Sequence, residues 1–137
     1  MAEGRTEIIP YIFYQDVPAA LDWLSRAFGF VETMRTGTPS GGMHGEMSLD
    51  GARIMMGQGR KEWRMLSSSV TKMSTQGVFI YLDDVEAHFE RARAAGAEID
   101  KPLEDLPYGR SYSARDSEAQ RIGLGHTARA GGRAVDG

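Results

Sequence analysis

Apolar residues in this chain fall into two patterns: short unbroken runs that read as buried strands, and one-sided stretches at helical spacing that read as helices. The run IIPYIFY at 8–14 is of the first kind and closes at polar Gln15 and Asp16. Beyond it, Val17, Ala20, Leu21, Leu24 and Phe28 share one helical face, with Asp16 placed to cap the start, Pro18 in the first turn and Gly29 at the end. That spacing predicts a helix over 17–28. Strands are expected at about 30–36, 43–50 and 52–57, with Asp50-Gly51 as a two-residue hairpin turn. Residues 58–75, QGRKEWRMLSSSVTKMST, have no clean period and are rich in Ser, Lys and Arg, which predicts a linker or mobile loop.

The pattern then starts again. A strand at 77–82 (GVFIYL) leads through Asp83 and Asp84 to a helix over 85–95 ended by Gly96, followed by strands near 97–100, 110–116 and 120–125. The tail 127–137, TARAGGRAVDG, is small and polar and is expected to be disordered. Sliding the sequence on itself by 68 positions aligns 7–58 with 75–126 and gives ten identities, including Asp16/Asp84, Val17/Val85, Arg53/Arg121 and Gly57/Gly125. Chance would give about three. The alignment needs no gap and reads as a duplication. The expected fold is therefore α+β, two tandem β-α-β-β-β units forming one domain over 1–126. Each unit is a curved mixed sheet with one helix on its convex face, and together they enclose a cleft for a small molecule.

Composition narrows the function. A chain of 137 residues buries a core without staples. It has no cysteine, so disulfides, thiolate zinc sites and cysteine nucleophiles are excluded and any metal would need His, Asp or Glu. The first residues, MAEGRTEIIP, lack the pattern of a secretion signal, and no stretch approaches the roughly 20 apolar residues of a membrane span. A cytoplasmic protein with no membrane partner is expected. The net charge is -3 and the 16 basic residues are scattered, which argues against a nucleic-acid partner.

The segments IIPYIFYQDVPAALDWLSRAFGFVE, GVFIYLDDVEAHFERARAAGAEID and YGRSYSARDSEAQRIGLG resemble the glyoxalase/bleomycin-resistance (vicinal oxygen chelate) superfamily. The resemblance covers the chain apart from 58–75 and the tail. It implies a fold shared by glyoxalase I, extradiol dioxygenases, fosfomycin-resistance transferases and bleomycin-binding resistance proteins, so both catalysis and sequestration are open. It also implies that a metalloenzyme would draw one His, Glu or Gln from the first and fourth strand of each unit. Those positions hold Ile9, Met55, Gly77 and Gly123, and a slip of one residue offers Pro10, Ile54, Met56, Val78, Ile122 or Leu124. None carries an imidazole or oxygen donor, so no metal and no other cofactor is expected. Relatives commonly have an Asp-Pro-Glu-Gly-His turn where this chain has Asp116-Ser117-Glu118-Ala119-Gln120, and losing the Pro and Gly predicts a less constrained turn.

Strand alternation groups Tyr11 and Phe13 with Ile9, and Phe79 and Tyr81 with Gly77, on the expected inner face. Such rings suit flat apolar or cationic ligands, or else fill a narrowed cleft as core. Trp63, in the irregular segment, is a candidate lid, or a cover for the domain's edge or a dimer contact. His44 and Glu46 share one face of a strand and form either a general base with its orienting carboxylate, a site for a ligand amine, or a solvated pair. His88 and His126 are given no role, and the methionines read as pliable core and pocket lining. The leading expectation is a metal-independent small-molecule binding protein acting by sequestration as a homodimer. The alternatives are a metal-free enzyme of the same fold using His44 and Glu46 in proton transfer, and a metal-dependent lyase or dioxygenase.

Overall fold

The computed structural model describes residues 6–127. The expected disordered tail lies outside them except for Thr127, which ends a strand. The strands are β1 (Tyr11–Tyr14), β2 (Val31–Gly37), β3 (Met43–Leu49), β4 (Ala52–Gln58), β5 (Gly77–Tyr81), β6 (Glu98–Leu106), β7 (Gly109–Arg115) and β8 (Arg121–Thr127). The helices are α1 (Val17–Phe28), α2 (Ser68–Thr71) and α3 (Val85–Ala94). Two four-stranded sheets result, ordered β1-β4-β3-β2 and β5-β8-β7-β6. In each, one pair is parallel, β1 with β4 and β5 with β8, and the other pairs are antiparallel. The α+β class and the two mixed sheets agree with the expectation.

Helix α1 forms where the spacing predicts. Asp16 Oδ1 accepts the Ala19 N–H at 3.0 Å, and Gly29, at φ 80, closes the far end. Its residues Val17, Leu21, Leu24 and Phe28 are buried in one cluster with Ile12, Tyr14, Met47, Ile54 and Met56, each large side chain contributing about 1.5–3 kcal/mol. Helix α3 has a thinner apolar face, burying Val85 and Ala92. The two helices are joined by polar contacts. Arg91 donates to the carbonyls of Arg26 and Ser25, both at 3.2 Å, at the negative end of α1. His88 Nε2 meets the Phe28 carbonyl at 2.8 Å while Nδ1 meets the Tyr112 hydroxyl at 2.6 Å, and burial holds this imidazole below its ordinary pKa. These bonds give His88 a structural role.

Several boundaries differ from expectation for local reasons. β1 begins at Tyr11 rather than residue 8, since Ile8 is 93% exposed and Pro10 has no N–H for a ladder. β6 continues to Leu106 through register shifts around Lys101, beside Pro102, where the pattern breaks although the strand does not. The repeat is not free of gaps. Tyr11 stands opposite Met55 and Phe79 opposite Gly123, an offset of 68, but Glu46 faces Met55 while Ser113 faces Gly123, an offset of 67. The connection 38–42 is longer than 107–108, and the turn 116–120 is longer than 50–51, so the slip opens and closes inside the unit.

The turn 116–120 is held by its own side chains, contrary to the looser turn expected. Asp116 Oδ1 accepts the Glu118 and Gln120 N–H groups at 2.9 and 3.0 Å, and Oδ2 accepts the hydroxyl of fully buried Tyr14. Glu118 accepts the Gln15 and Asp16 N–H groups at 2.7 and 2.8 Å together with the hydroxyls of Ser67 and Ser69. One carboxylate thus ties the first unit to the second and orders the segment between them. That segment is not a featureless linker: it contains a 3-10 turn at Lys61–Trp63, and α2, which Ser67 caps.

Burial raises the Asp116 carboxyl from 3.8 to about 6, against the lowering effect of its hydrogen bonds. The folded chain therefore holds this proton more tightly than the unfolded chain. The resulting stabilisation is complete below about pH 4 and is lost as pH rises through about 6. Replacing Asp116 by Asn removes the titration. In urea unfolding, the stability of the wild type relative to Asp116→Asn is expected to fall by up to about 3 kcal/mol between roughly pH 4 and pH 7. A pH-independent difference would contradict the assignment.

Candidate functional site

β1 and β5 are the facing edge strands of the two sheets, and a cavity of about 830 Å³ lies between them. Pro10–Phe13 of β1 and its lead-in form one wall, Gly77–Phe79 the other, and Gln120–Ile122 complete the lining on the protein side. Leu66, Thr71 and Met73 line it from the intervening segment, with Lys61 and Arg64. A second cavity of about 510 Å³ lies over β7 and shares Gly77–Phe79 and Arg121 with the first.

Three of the predicted ligand residues, Tyr11, Phe13 and Phe79, line the larger cavity. Tyr81 stacks edge-on to Phe79 at 5.2 Å but lines neither cavity, and Trp63 lies outside both with the Arg60 guanidinium 5.4 Å above its ring. The rings face away from the helices: Tyr11 and Phe79 are 45% and 50% exposed, whereas Ile12 is in the core and Ile80 packs against it. Glycines on the neighbouring strands let the rings lie flat. A Cβ at Gly57 would come within 2.6 Å of the Tyr11 hydroxyl, and one at Gly123 within 2.6 Å of Phe79 Cδ2.

The same packing decides the fit of a metal. Ile9, Met55, Gly77 and Gly123 offer no hard or borderline donor, and the Phe79 ring covers the space a side chain at position 123 would need. These residues do not fit a divalent ion. Among the described residues, no group of three or more His, Asp or Glu is placed to hold one.

His44 and Glu46 lie beside the cavity rather than in it, and Tyr11 connects them to it. His44 Nε2 is 2.9 Å from Glu46 Oε2, and His44 Nδ1 is 2.9 Å from the Tyr11 hydroxyl. With Nε2–H donating to the carboxylate, Nδ1 is left as the acceptor for the phenol. Glu46 Oε1 accepts from Arg53 at 3.3 Å. Partial burial, and then the Glu46 charge, raise the Tyr11 pKa, so the ring keeps its proton at neutral pH. A hydrogen-bonded chain thus runs from the cavity wall to Arg53. Sequence reasoning paired His44 with Glu46 but missed Tyr11 as the third member. It also missed Lys61, Arg64 and Arg121 as lining residues, although Arg53/Arg121 was among the repeat identities.

The model of the Glyoxalase/Bleomycin resistance protein/Dioxygenase superfamily matches residues 6–122. The chain belongs to this superfamily. Among curated relatives, the Uncharacterized protein Mb0911c of Mycobacterium bovis is 30% identical over 108 residues, covering 75% of this chain and 70% of that protein. The Uncharacterized protein Rv0887c of Mycobacterium tuberculosis matches over the same share of this chain and 63% of its own length. Of the solved structures, TioX from Micromonospora sp. ML1 is 27% identical with a TM-score of 0.68, over 90% of this chain and 99% of that one. TnmS3, described as an antibiotic binding protein from Streptomyces sp. CB03234, is 21% identical with a TM-score of 0.72, over 93% and 99%. No described helix is long and apolar enough to cross a membrane.

Proposed function

We propose that the chain is a small-molecule binding protein of the glyoxalase/bleomycin-resistance type that sequesters a hydrophobic or aromatic compound without the superfamily's metal. The observation that carries this reading is the 830 Å³ cavity walled by Tyr11, Phe13 and Phe79, a size suited to a drug-sized molecule, with no metal donor at the four family positions. The likeness to a protein described as antibiotic binding supports it. A cytoplasmic location and a homodimer belong to the same reading. Support for the dimer comes from Phe79 and Tyr81, which are half exposed on a sheet face that no helix covers. Native mass spectrometry of protein purified from its own host tests both parts. The expected spectrum shows twice the 15.0 kDa chain mass, an added organic mass lost on denaturation, and no divalent metal. A monomer would remove the dimer, and stoichiometric zinc, iron or manganese would revive the metal-dependent reading.

The chain Tyr11–His44–Glu46 favours a second reading, a metal-free enzyme that moves a proton at the cavity wall. Incubating the co-purified compound with wild type and with His44→Ala separates the two. Conversion by the wild type alone makes the protein an enzyme, whereas recovery of the compound unchanged from both keeps it a binder.

A further inference from the structure

We infer that the compound held in this cavity is an aromatic acid, with its ring system between Tyr11 and Phe79 and its anionic group toward Arg121. The inference rests on the binding reading above and specifies the ligand's charge.

The chain as a whole is acidic, with a net charge of -3. The cavity is not: Lys61, Arg64 and Arg121 line it, and no Asp or Glu does. Neither Lys61 nor Arg64 makes an ion pair among the described residues.

Comparing the two units shows why Arg121 carries unspent charge. Arg53 and Arg121 occupy equivalent places on β4 and β8, two residues before Met55 and Gly123. In the first unit Arg53 meets the carboxylate of Glu46 at 3.3 Å. In the second, the residue equivalent to Glu46 is Ser113, so Arg121 meets a neutral hydroxyl at 3.4 Å. The nearest acid, Asp100, sits 2.9 Å from Arg115 and 3.8 Å from Arg121. One carboxylate between two guanidiniums leaves one positive charge over. Arg121 lines both cavities, and its guanidinium, held near Ser113 and Asp100, lies toward the second one over β7, which shares the Gly77–Phe79 wall with the first.

A cationic ligand, one of the options the aromatic face alone allowed, would meet three like charges here. An acid meets a planar guanidinium that can grip a carboxylate or sulfonate through two N–H groups, next to rings that stack on its aromatic part.

The test is a fluorescence titration of the full chain with two probes of one ring system, anilinonaphthalene sulfonate and its uncharged analogue N-phenylnaphthylamine. At low salt the sulfonate is expected to bind about tenfold tighter, a difference of about 1.4 kcal/mol. Arg121→Gln is expected to weaken the sulfonate far more than the uncharged probe, so that most of that preference is lost. Circular dichroism checks the fold of this variant, and Arg64→Gln, on an exposed segment, provides a second test with an expected loss of a few-fold for the sulfonate and a smaller one for the uncharged probe. Equal affinity for the two probes, tighter binding of the uncharged one, or a preference unaffected by both substitutions would overturn the inference and leave the binding reading standing. Failure of both probes to bind would overturn the inference together with that reading.

Discussion

Replacing Glu118 by Ala is expected to lower the unfolding free energy by about 2–4 kcal/mol, among the largest losses from one side chain in this chain. Glu118 is 9% exposed and accepts four hydrogen bonds, two from the backbone of Gln15 and Asp16 and two from Ser67 and Ser69. The serine hydroxyls can rotate to other acceptors, but the two backbone N–H groups cannot move without unravelling the start of α1, so their loss dominates. Relief from burying a charge beside Asp116 offsets part of the cost. Urea unfolding of Glu118→Ala and Glu118→Gln checks this. Gln keeps one acceptor oxygen and is expected to lose about half as much. Because the same carboxylate orders residues 67–69, Glu118→Ala is also expected to speed amide exchange across α2, which contributes Ser68 and Thr71 to the cavity lining. Losses below about 0.5 kcal/mol would mean that the two units hold together without this contact.

Phe79→Ala is expected to weaken N-phenylnaphthylamine binding by about 1–3 kcal/mol, roughly five- to 150-fold in Kd. The ring is a cavity wall lying across Gly123 and Gly125, so truncation removes a stacking surface and widens the space without disturbing the core on the other face. Tyr81→Ala is expected to cost less, since Tyr81 supports Phe79 from outside the cavity. His44→Ala is expected to leave most of the affinity intact, because His44 reaches the cavity only through Tyr11. Fluorescence titration of the three variants ranks them. An order with His44→Ala most harmful would place the ligand over β3 instead of between β1 and β5.

How much of this was legible in the sequence follows from the range of the interactions involved. Helix α1, the alternation that sets Tyr11 apart from Ile12, and the restart at residue 77 depend on neighbours a few positions away, so spacing exposes them. The order within 58–75 depends on Glu118, 49 positions beyond Ser69 and 51 beyond Ser67, and no local period reports such a bond. The slip in the third strand was hidden because two loops of unequal length compensate for one another, so identities on either side kept the offset of 68. His44 and Glu46 are two apart and were paired on sight, whereas Tyr11, 33 positions from His44, needed the strand order β1-β4-β3 to bring it there. The cationic lining was missed for a related reason. Its members come from two separate segments, Lys61 and Arg64 from one turn and Arg121 from β8, and only the fold shows that Ser113 stands where the first unit has Glu46.

The binding site proposed for this chain holds an aromatic molecule between the edges of β1 and β5. A crystal structure of the chain grown with N-phenylnaphthylamine tests it most directly, because the uncharged probe tests the cavity itself and not the inference about charge. The probe's rings are expected against Tyr11 and Phe79, with Leu66 and Met73 closing over them. Density for the probe only on the helix face or at a surface away from β1 and β5, with this cavity filled by solvent, would contradict it.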